Sequence, residues 1–348
     1  MTRMPAETMQ PWSWRRMSVQ APTPVEPSTG EEVQPLASFI VCTRNRASSL
    51  KTCIASIQAA SQFLAASMVE LVIIDNGSTD DTWDYLAKIA AASRIRLTRV
   101  AEPRPGLAIA RNAGLQHARG RILVFIDDDC ELHPDYLREL ERHYADGRKC
   151  VIRGGRVELG DPEDLPFTIK CSPVRERFTR AVHPGGFVLG CNMTMHREVA
   201  ARVGLFDERF GAGGPLKSAE DSDFLLRAYL LGIEVEYVPD MTVLHRHGRS
   251  ALEAVETLHR DYSLGNGGLC LKHIRRAPWL LLHFWWTVRS ACSELVGVPL
   301  FNSELRLSHW PIVFMNLRGA AKFAGLTIFG RPKRAKTRQV HQLTAWLR

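Results

Sequence analysis

The chain holds 8 cysteines in 348 residues, yet no two of them form a CxxC pair. That absence removes the usual zinc framework and any signature of a disulfide scaffold. Cys42, Cys53, Cys130, Cys150, Cys171, Cys191, Cys270 and Cys292 are scattered, and reduced thiols in a cytosolic setting are expected. Also missing is an apolar run of the ~20 residues needed to cross a bilayer. The longest such run, residues 277–288, contains Pro278 and His283 and stops at Arg289. Trp12, Trp14, Arg15 and Arg16 lie near the beginning without an apolar stretch ahead of a small-residue cleavage site, so secretion through a signal peptide is not expected.

What is present describes a globular protein: 45% hydrophobic and 24% charged residues exclude disorder throughout. A formal charge of +8 draws anions, whether nucleotide phosphates, anionic lipid or nucleic acid. Arg331, Lys333, Arg334, Lys336 and Arg338 follow a tryptophan-rich apolar region. That pairing reads either as a membrane-surface anchor or as a solvated tail. No nucleic-acid-binding motif accompanies it, so no nucleic-acid partner is expected.

Residues 1–35 are rich in Pro, Thr, Ser and Glu and read as a flexible leader. From Leu36 the pattern changes to strand, loop and helix: residues 38–42, then 43–48, then Leu50, Ile54 and Ile57 at helical spacing. A second unit follows, with residues 71–74 as a buried strand, 75–80 as a loop, and Trp83, Leu86 and Ile89 on a helix face. Residues 122–126 form a third apolar strand, ending in three aspartates ahead of a helix starting near Pro134. Strands without polar alternation are covered on both faces, as in a parallel sheet flanked by helices. Ligands then bind at the carboxyl ends of the strands, where Thr43, Asp75 and Asp127 fall. Residues 154–214, dense in Gly and Pro, read as loops and antiparallel strands. Residues 218–232 predict a helix with Phe224, Leu225, Ala228 and Leu231 on one face, and 235–243 predict a strand. Beyond 251, helical segments rich in Trp, Leu and Arg do not repeat the earlier units.

Asp127, Asp128 and Asp129 put three like charges where water exclusion begins, which calls for a positive counterpart. Mg²⁺ or Mn²⁺ bridging to substrate phosphates is one answer; a solvated acidic turn is the other. Asp75 is either the acceptor of an Asx-turn or a hydrogen-bond partner of a base or ribose. Arg111, early in a helix entered through a Gly/Pro loop, is either a surface residue or a phosphate contact. Ser218 and Asp221 have capping-box spacing, while an Asp221 or Glu220 carboxylate in that position can also take a proton from a hydroxyl. His245 is either structural or a nitrogen ligand to a metal.

These pieces in this order resemble the family 2 glycosyltransferases with the GT-A fold, from about residue 38 to about residue 247. VCTRNR at 41–46 is similar to that family's first-strand nucleotide loop, IIDNGSTDDT to its base-binding segment, LAIARNAG to its donor-contacting arginine and FIDDDC to its DXD motif. GCNM at 190–193, VGLFDE at 203–208 and AEDSD at 219–223 resemble the segments around its acidic catalytic pair, Ala219 standing where Gly is usual. The resemblance implies donor contacts from Thr43, Arg46, Asp75, Arg111, Asp127 and Asp128, metal ligation by Asp129 and His245, and catalysis by Asp221 with Glu220 supporting it. It implies an inverting, metal-dependent transfer of a sugar from a nucleotide-diphosphate donor to an acceptor hydroxyl.

The expected architecture is therefore an α/β, GT-A type domain over 36–248, with a Rossmann-like mixed sheet flanked by helices. A helical region over 249–330 that associates peripherally with membrane through 270–330, and a basic tail over 331–348, would follow. A carbohydrate or lipid-linked acceptor in polysaccharide, glycolipid or cell-envelope synthesis, at the inner face of the plasma membrane, would suit that layout. Two rival readings stand beside it: a nucleotidyltransferase, and a non-catalytic sugar-nucleotide or carbohydrate-binding protein.

Overall fold

The computed structural model describes residues 34–297 and 307–329; residues 1–33 of the expected leader and the basic tail lie outside the described residues. In chain order the elements are β1 (Ala37–Thr43), α1 (Ala47–Ala60), β2 (Val69–Asp75), α2 (Thr82–Ala92), β3 (Arg96–Ala101), α3 (Leu107–His117), β4 (Ile122–Asp127), β5 (Cys130–Leu132) and α4 (Tyr136–Tyr144). There follow β6 (Val151–Leu159), β7 (Glu176–Arg177), β8 (Asn192–His196), α5 (Arg197–Val203), α6 (Glu220–Leu230), β9 (Glu234–His245), α7 (Leu252–His273), α8 (Leu280–Glu294) and α9 (His309–Ile328).

One mixed sheet runs in the order β3-β2-β1-β4-β8-β6-β9-β5, with β7 also on β9. The strands β3, β2, β1 and β4 are parallel. Next comes β8, antiparallel to both β4 and β6, while β9 runs parallel to β6. The parallel part forms because its strands are apolar on both faces. Phe39, Val41, Leu71, Ile73, Val124 and Ile126 pack with Leu50, Ile54 and Ile57 of α1. The alternate residues Ile40, Val72, Ile74, Leu123 and Phe125 pack with Ala110 and Ala113 of α3 on the other face. The mixed α/β sheet with its helical C-terminal region is the expected architecture.

Three local expectations change. Within 154–214, β6 is partly a parallel strand and α5 is a helix, because its Val199, Ala200 and Val203 find a core. Trp83 is on α2 but turned outward, with the Arg99 guanidinium 4.6 Å from its ring. Leu231 falls one residue past α6 and is exposed.

The C-terminal helices are anchored to the sheet domain through α6. Asp223 of α6 is fully buried and meets His273 at 2.8 Å, Lys272 at 2.6 Å and Arg227 at 2.9 Å. Burial opposes ionisation there, but the His273 hydrogen bond and the Lys272 and Arg227 charges hold its carboxyl far below the ordinary range. Helices α7 and α9 cross in backbone contact: a Cβ at Gly267 would lie 1.9 Å from the Asn316 carbonyl, and one at Gly319 1.9 Å from that of Leu264.

Candidate active site

Because β1, β2 and β4 are parallel and in register, their carboxyl ends form one edge: Thr43 pairs with Asp75, and Cys42 with Asp127. The Asp75 carboxylate accepts from the Ser78 amide at 2.9 Å, the turn-acceptor geometry, and is buried. Two residues that the sequence did not single out tie the loops together. Asn45 accepts from the Thr79 amide at 2.7 Å, and its own amide donates to Ser78 Oγ at 2.9 Å. Asn76 donates to the Glu102 and Arg104 carbonyls and accepts from the Gly106 amide at 2.9 Å, fixing the loop that opens α3. Their signal was only that of turn residues, and the partners lie some thirty positions away.

The acidic triplet divides three ways. Asp127 is partly exposed and 3.3 Å from Arg111. Asp128 accepts from Thr43 Oγ1 at 2.6 Å and from Arg46 at 3.2 Å. Asp129 accepts from the same Arg46 nitrogen at 2.6 Å. The solvated-turn alternative fails, since Asp128 and Asp129 are 5% and 8% exposed. Burial pushes the Asp128 carboxyl up to about 6 despite Arg46 and Thr43. For Asp129 burial acts in the same direction, but His245 and Arg46 outweigh it and bring the carboxyl down to about 2. His245 is opposed by burial and raised by Asp129 to about 9.

At the end of β9, His245 Nε2 lies 3.3 Å from Asp129 Oδ1, a buried oxygen with no hydrogen-bond partner. The other ring nitrogen is 3.4 Å from both the hydroxyl and the carbonyl of Thr168. Ligand atoms of Asp129, Cys130 and His245 all fall within 4.8 Å of one another. A hydrogen bond to Cys191 and burial keep the Cys130 thiol protonated. An orphaned carboxylate oxygen facing an imidazole is a donor set that fits a divalent ion.

Arg111 is 3% exposed on α3, a buried residue and not a surface one. It reaches Glu220 at 2.7 Å and Asp127 at 3.3 Å, joining the end of β4 to the start of α6. A Cβ at Gly190 would lie 2.7 Å from Arg111 Nη2, so any side chain there has to shift that guanidinium. The Gly190 amide donates to Asp221 Oδ2 at 3.0 Å, and the Ser222 amide to Asp221 Oδ1 at 2.6 Å. Burial first, then the Asp221 charge, push Glu220 up to about 7 against the pull of Arg111. The capping-box alternative is not what forms: Ser218 Oγ donates to the Asp261 carbonyl at 2.8 Å, and the cap position is Ala219 without a side-chain cap.

Among the described residues the non-glycines with left-handed backbone are Asn45, Thr168, Lys217 and Ala219. Asn45 lies in the loop after β1, Thr168 faces His245 and Ala219 directly precedes Glu220, and strain of that kind gathers at functional sites. A separate pocket lined by Arg148, Arg175, Glu176, Arg177 and Glu236 lies at the start of β9, the end remote from His245, and there Glu236 pairs with all three arginines.

The match to known proteins follows these elements. Residues 38–204 match the family model described as Glycosyl transferase family 2, and residues 122–322 match Glycosyl transferase family group 2. The chain belongs to glycosyl transferase family 2. It is 31% identical over 306 residues to validoxylamine A glucosyltransferase of Streptomyces hygroscopicus, covering 79% of this chain and 68% of that one. It is 24% identical over 260 residues to the glycosyltransferase AglE of Haloferax volcanii, covering 72% and 81%. With EpsH of Bacillus subtilis it shares 27% over 212 residues, and there it spans only 58% of the relative's length. Among solved structures, the mannosyltransferase PcManGT of Pyrobaculum calidifontis, in complex with GDP-Man and Mn²⁺, superposes with a TM-score of 0.55 at 20% identity, covering 90% of this chain and 86% of that one. S. aureus TarS 1-349 in complex with UDP-GlcNAc gives 0.50 at 16% identity, covering 86% and 93%. The fold of this family 2 glycosyltransferase is thus the GT-A fold.

Proposed function

We propose that the chain transfers a sugar from a nucleotide-diphosphate donor to an acceptor hydroxyl with inversion, using Asp221 as the base. The observation that carries this reading is the bridge from Asp127 through Arg111 to Glu220, which draws the strand-end aspartates and the acidic pair of α6 into one site. Asp221 is held by two backbone amides, which aim its carboxylate. It takes the proton of the acceptor hydroxyl; the oxygen bonds to the anomeric carbon as the bond to the diphosphate breaks on the opposite face, and nucleoside diphosphate leaves. One displacement at one centre inverts the configuration.

Glu220 supports the base, and Arg111 acts through the two carboxylates it holds. Thr43, Asp75, Asp127 and Asp128 line the donor end. Arg46, 42% exposed in its side chain, is the cation able to turn toward a phosphate. Asp129 and His245 would hold Mg²⁺ or Mn²⁺, which when bound compensates the charge of the leaving diphosphate. The Mn²⁺ and GDP-Man of PcManGT and the UDP-GlcNAc of TarS support such a donor.

Peripheral attachment to the inner face of a membrane belongs to the same reading. No helix among the described residues is long and apolar enough to cross a bilayer. Helix α8 nevertheless exposes Leu281, Leu282, Trp285 and Trp286, and α9 exposes Trp310, Phe314 and Leu317, the composition of an interfacial surface. An acceptor drawn from polysaccharide, glycolipid or envelope synthesis fits there. Flotation with vesicles checks it: Trp285→Ser with Trp286→Ser should release the protein, and unchanged flotation would count against attachment.

The activity is tested by screening nucleotide sugars with Mg²⁺ or Mn²⁺ for released nucleoside diphosphate. Asp221→Asn should lower turnover by about 10²–10⁴-fold while nucleotide binding persists, and Asp129→Ala should abolish metal dependence. Full activity in Asp221→Asn would remove the base assignment; release of inorganic diphosphate from a nucleoside triphosphate would favour a nucleotidyltransferase.

A further inference from the structure

The segment 161–170 and helix α7 bring two aromatic rings together beside the elements that carry His245 and Asp221. Phe167 and Tyr262 stack with centroids 5.9 Å apart and planes 18° from parallel. Each ring is tied to one half of the site. Phe167 precedes Thr168, the left-handed residue whose hydroxyl and carbonyl face His245. The backbone of α7 at Asp261 takes the hydroxyl of Ser218, three residues before Asp221. The base of the stack is fixed as well: Leu165 donates its amide to the Arg249 carbonyl at 2.8 Å, and Phe167 packs against Val255 and Leu307. Tyr262 remains 36% exposed. Burial and then the Asp221 charge raise its phenol above the ordinary range, and its carbonyl lies 3.4 Å from the hydroxyl of Ser218, three residues before Asp221.

We propose that Phe167 and Tyr262 form the platform on which the ring of a carbohydrate acceptor lies beside Asp221. This assignment rests on the glycosyl-transfer reading and adds the acceptor's chemical class to it. A pyranose presents a face of C–H groups and a rim of hydroxyls. An aromatic face meets the first, as a flat amphipathic ring does at many binding surfaces, and the Tyr262 hydroxyl meets the second. A purely lipidic alcohol or a protein hydroxyl would use neither property. The strained Thr168 backbone, shared by the platform and the His245 contact, sets the spacing between the acceptor ring and the donor end.

The test uses the full chain and three probes: methyl β-D-glucopyranoside, methyl α-D-mannopyranoside and the methyl glycoside of N-acetylglucosamine. Their binding is read by saturation-transfer NMR in the presence of UDP or GDP, and the affinity for the nucleotide is measured in parallel by calorimetry. At least one glycoside should bind the wild type, bind Tyr262→Ala about tenfold more weakly, and keep most of its affinity in Tyr262→Phe. Phe167→Leu should weaken the same glycoside. If Tyr262→Ala loses nucleotide binding as well, its fold is lost, and Tyr262→Phe with Phe167→Leu decide the matter. Equal glycoside binding by the wild type and the ring-deleted variants, or none by the wild type, overturns the platform. A wild type that binds glycosides but neither binds nucleotide nor turns over a nucleotide sugar overturns the glycosyl-transfer reading instead.

Discussion

Arg111 Nη1 donates to Glu220 Oε1 across 2.7 Å inside the protein, joining α3 to α6. Both side chains are more than nine-tenths buried, so neither partner tolerates loss of the other. Removing one member of such a pair leaves an uncompensated buried charge, at a cost of about 3–5 kcal/mol. Arg111→Met should therefore lower stability by that order in denaturant unfolding. Arg111→Met combined with Glu220→Gln should recover part of it, since the buried Glu220 charge is then gone and Asp127, the other carboxylate that Arg111 meets, is partly exposed to water.

Glu220 supplies a pH signature. Its folded pKa is raised from 4.5 to about 7, chiefly by burial and then by Asp221. A carboxyl raised in this way binds its proton more tightly folded than unfolded. Its contribution is fully present below pH 4.5 and is lost as pH rises through about 7. Unfolding midpoints measured across that window should fall with pH through this group, and Glu220→Gln should flatten the slope.

Gly190 separates activity from stability. Its missing side chain makes room for the Arg111 guanidinium, while its amide aims Asp221. Gly190→Ala should displace Arg111 by a few tenths of an ångström or more and reduce turnover by about tenfold or more, with a smaller change in unfolding midpoint. Equal turnover in Gly190→Ala and wild type would show that the Arg111 position does not matter to the chemistry.

Ala219 holds φ at 70° immediately before the acidic pair. Left-handed backbone costs a non-glycine about 1–2 kcal/mol, partly offset in glycine by the entropy of the unfolded chain. Ala219→Gly should be as stable as wild type or slightly more so, and should retain activity. Ala219→Val, β-branched, should lose more than about 1 kcal/mol in the same unfolding assay, and its turnover should fall with it.

Much of the fold was readable because strong local signals agreed. Apolar runs at β1, β2 and β4, without polar alternation, admit only strands covered on both faces, and each ends in the residues now found along one edge. Helix α5 escaped because its seven residues carry too few apolar positions to show a period, and only contact with β8 and α6 gives Val199 and Val203 somewhere to go. Trp83 and Leu231 misled for the complementary reason: helical spacing identifies a face, but which end of that face meets the sheet depends on neighbours distant in the chain.

In the site the division is similar. Residue types and spacing by themselves determined which side chains were candidates: a strand followed by three aspartates, an arginine in a helix, an acidic pair ahead of another helix, a histidine after a strand. They also determined the family, because several such segments in fixed order are far more specific than any one. Pairing was decided only in three dimensions. That Arg46 neutralises Asp128 and Asp129 while Arg111 turns from solvent to Glu220 and Asp127 depends on distances between groups 16 to 109 residues apart. Charge in the sequence says that a counter-ion is needed; burial and geometry choose which one supplies it, because electrostatic energy depends on separation and local polarity, and neither is written along the chain.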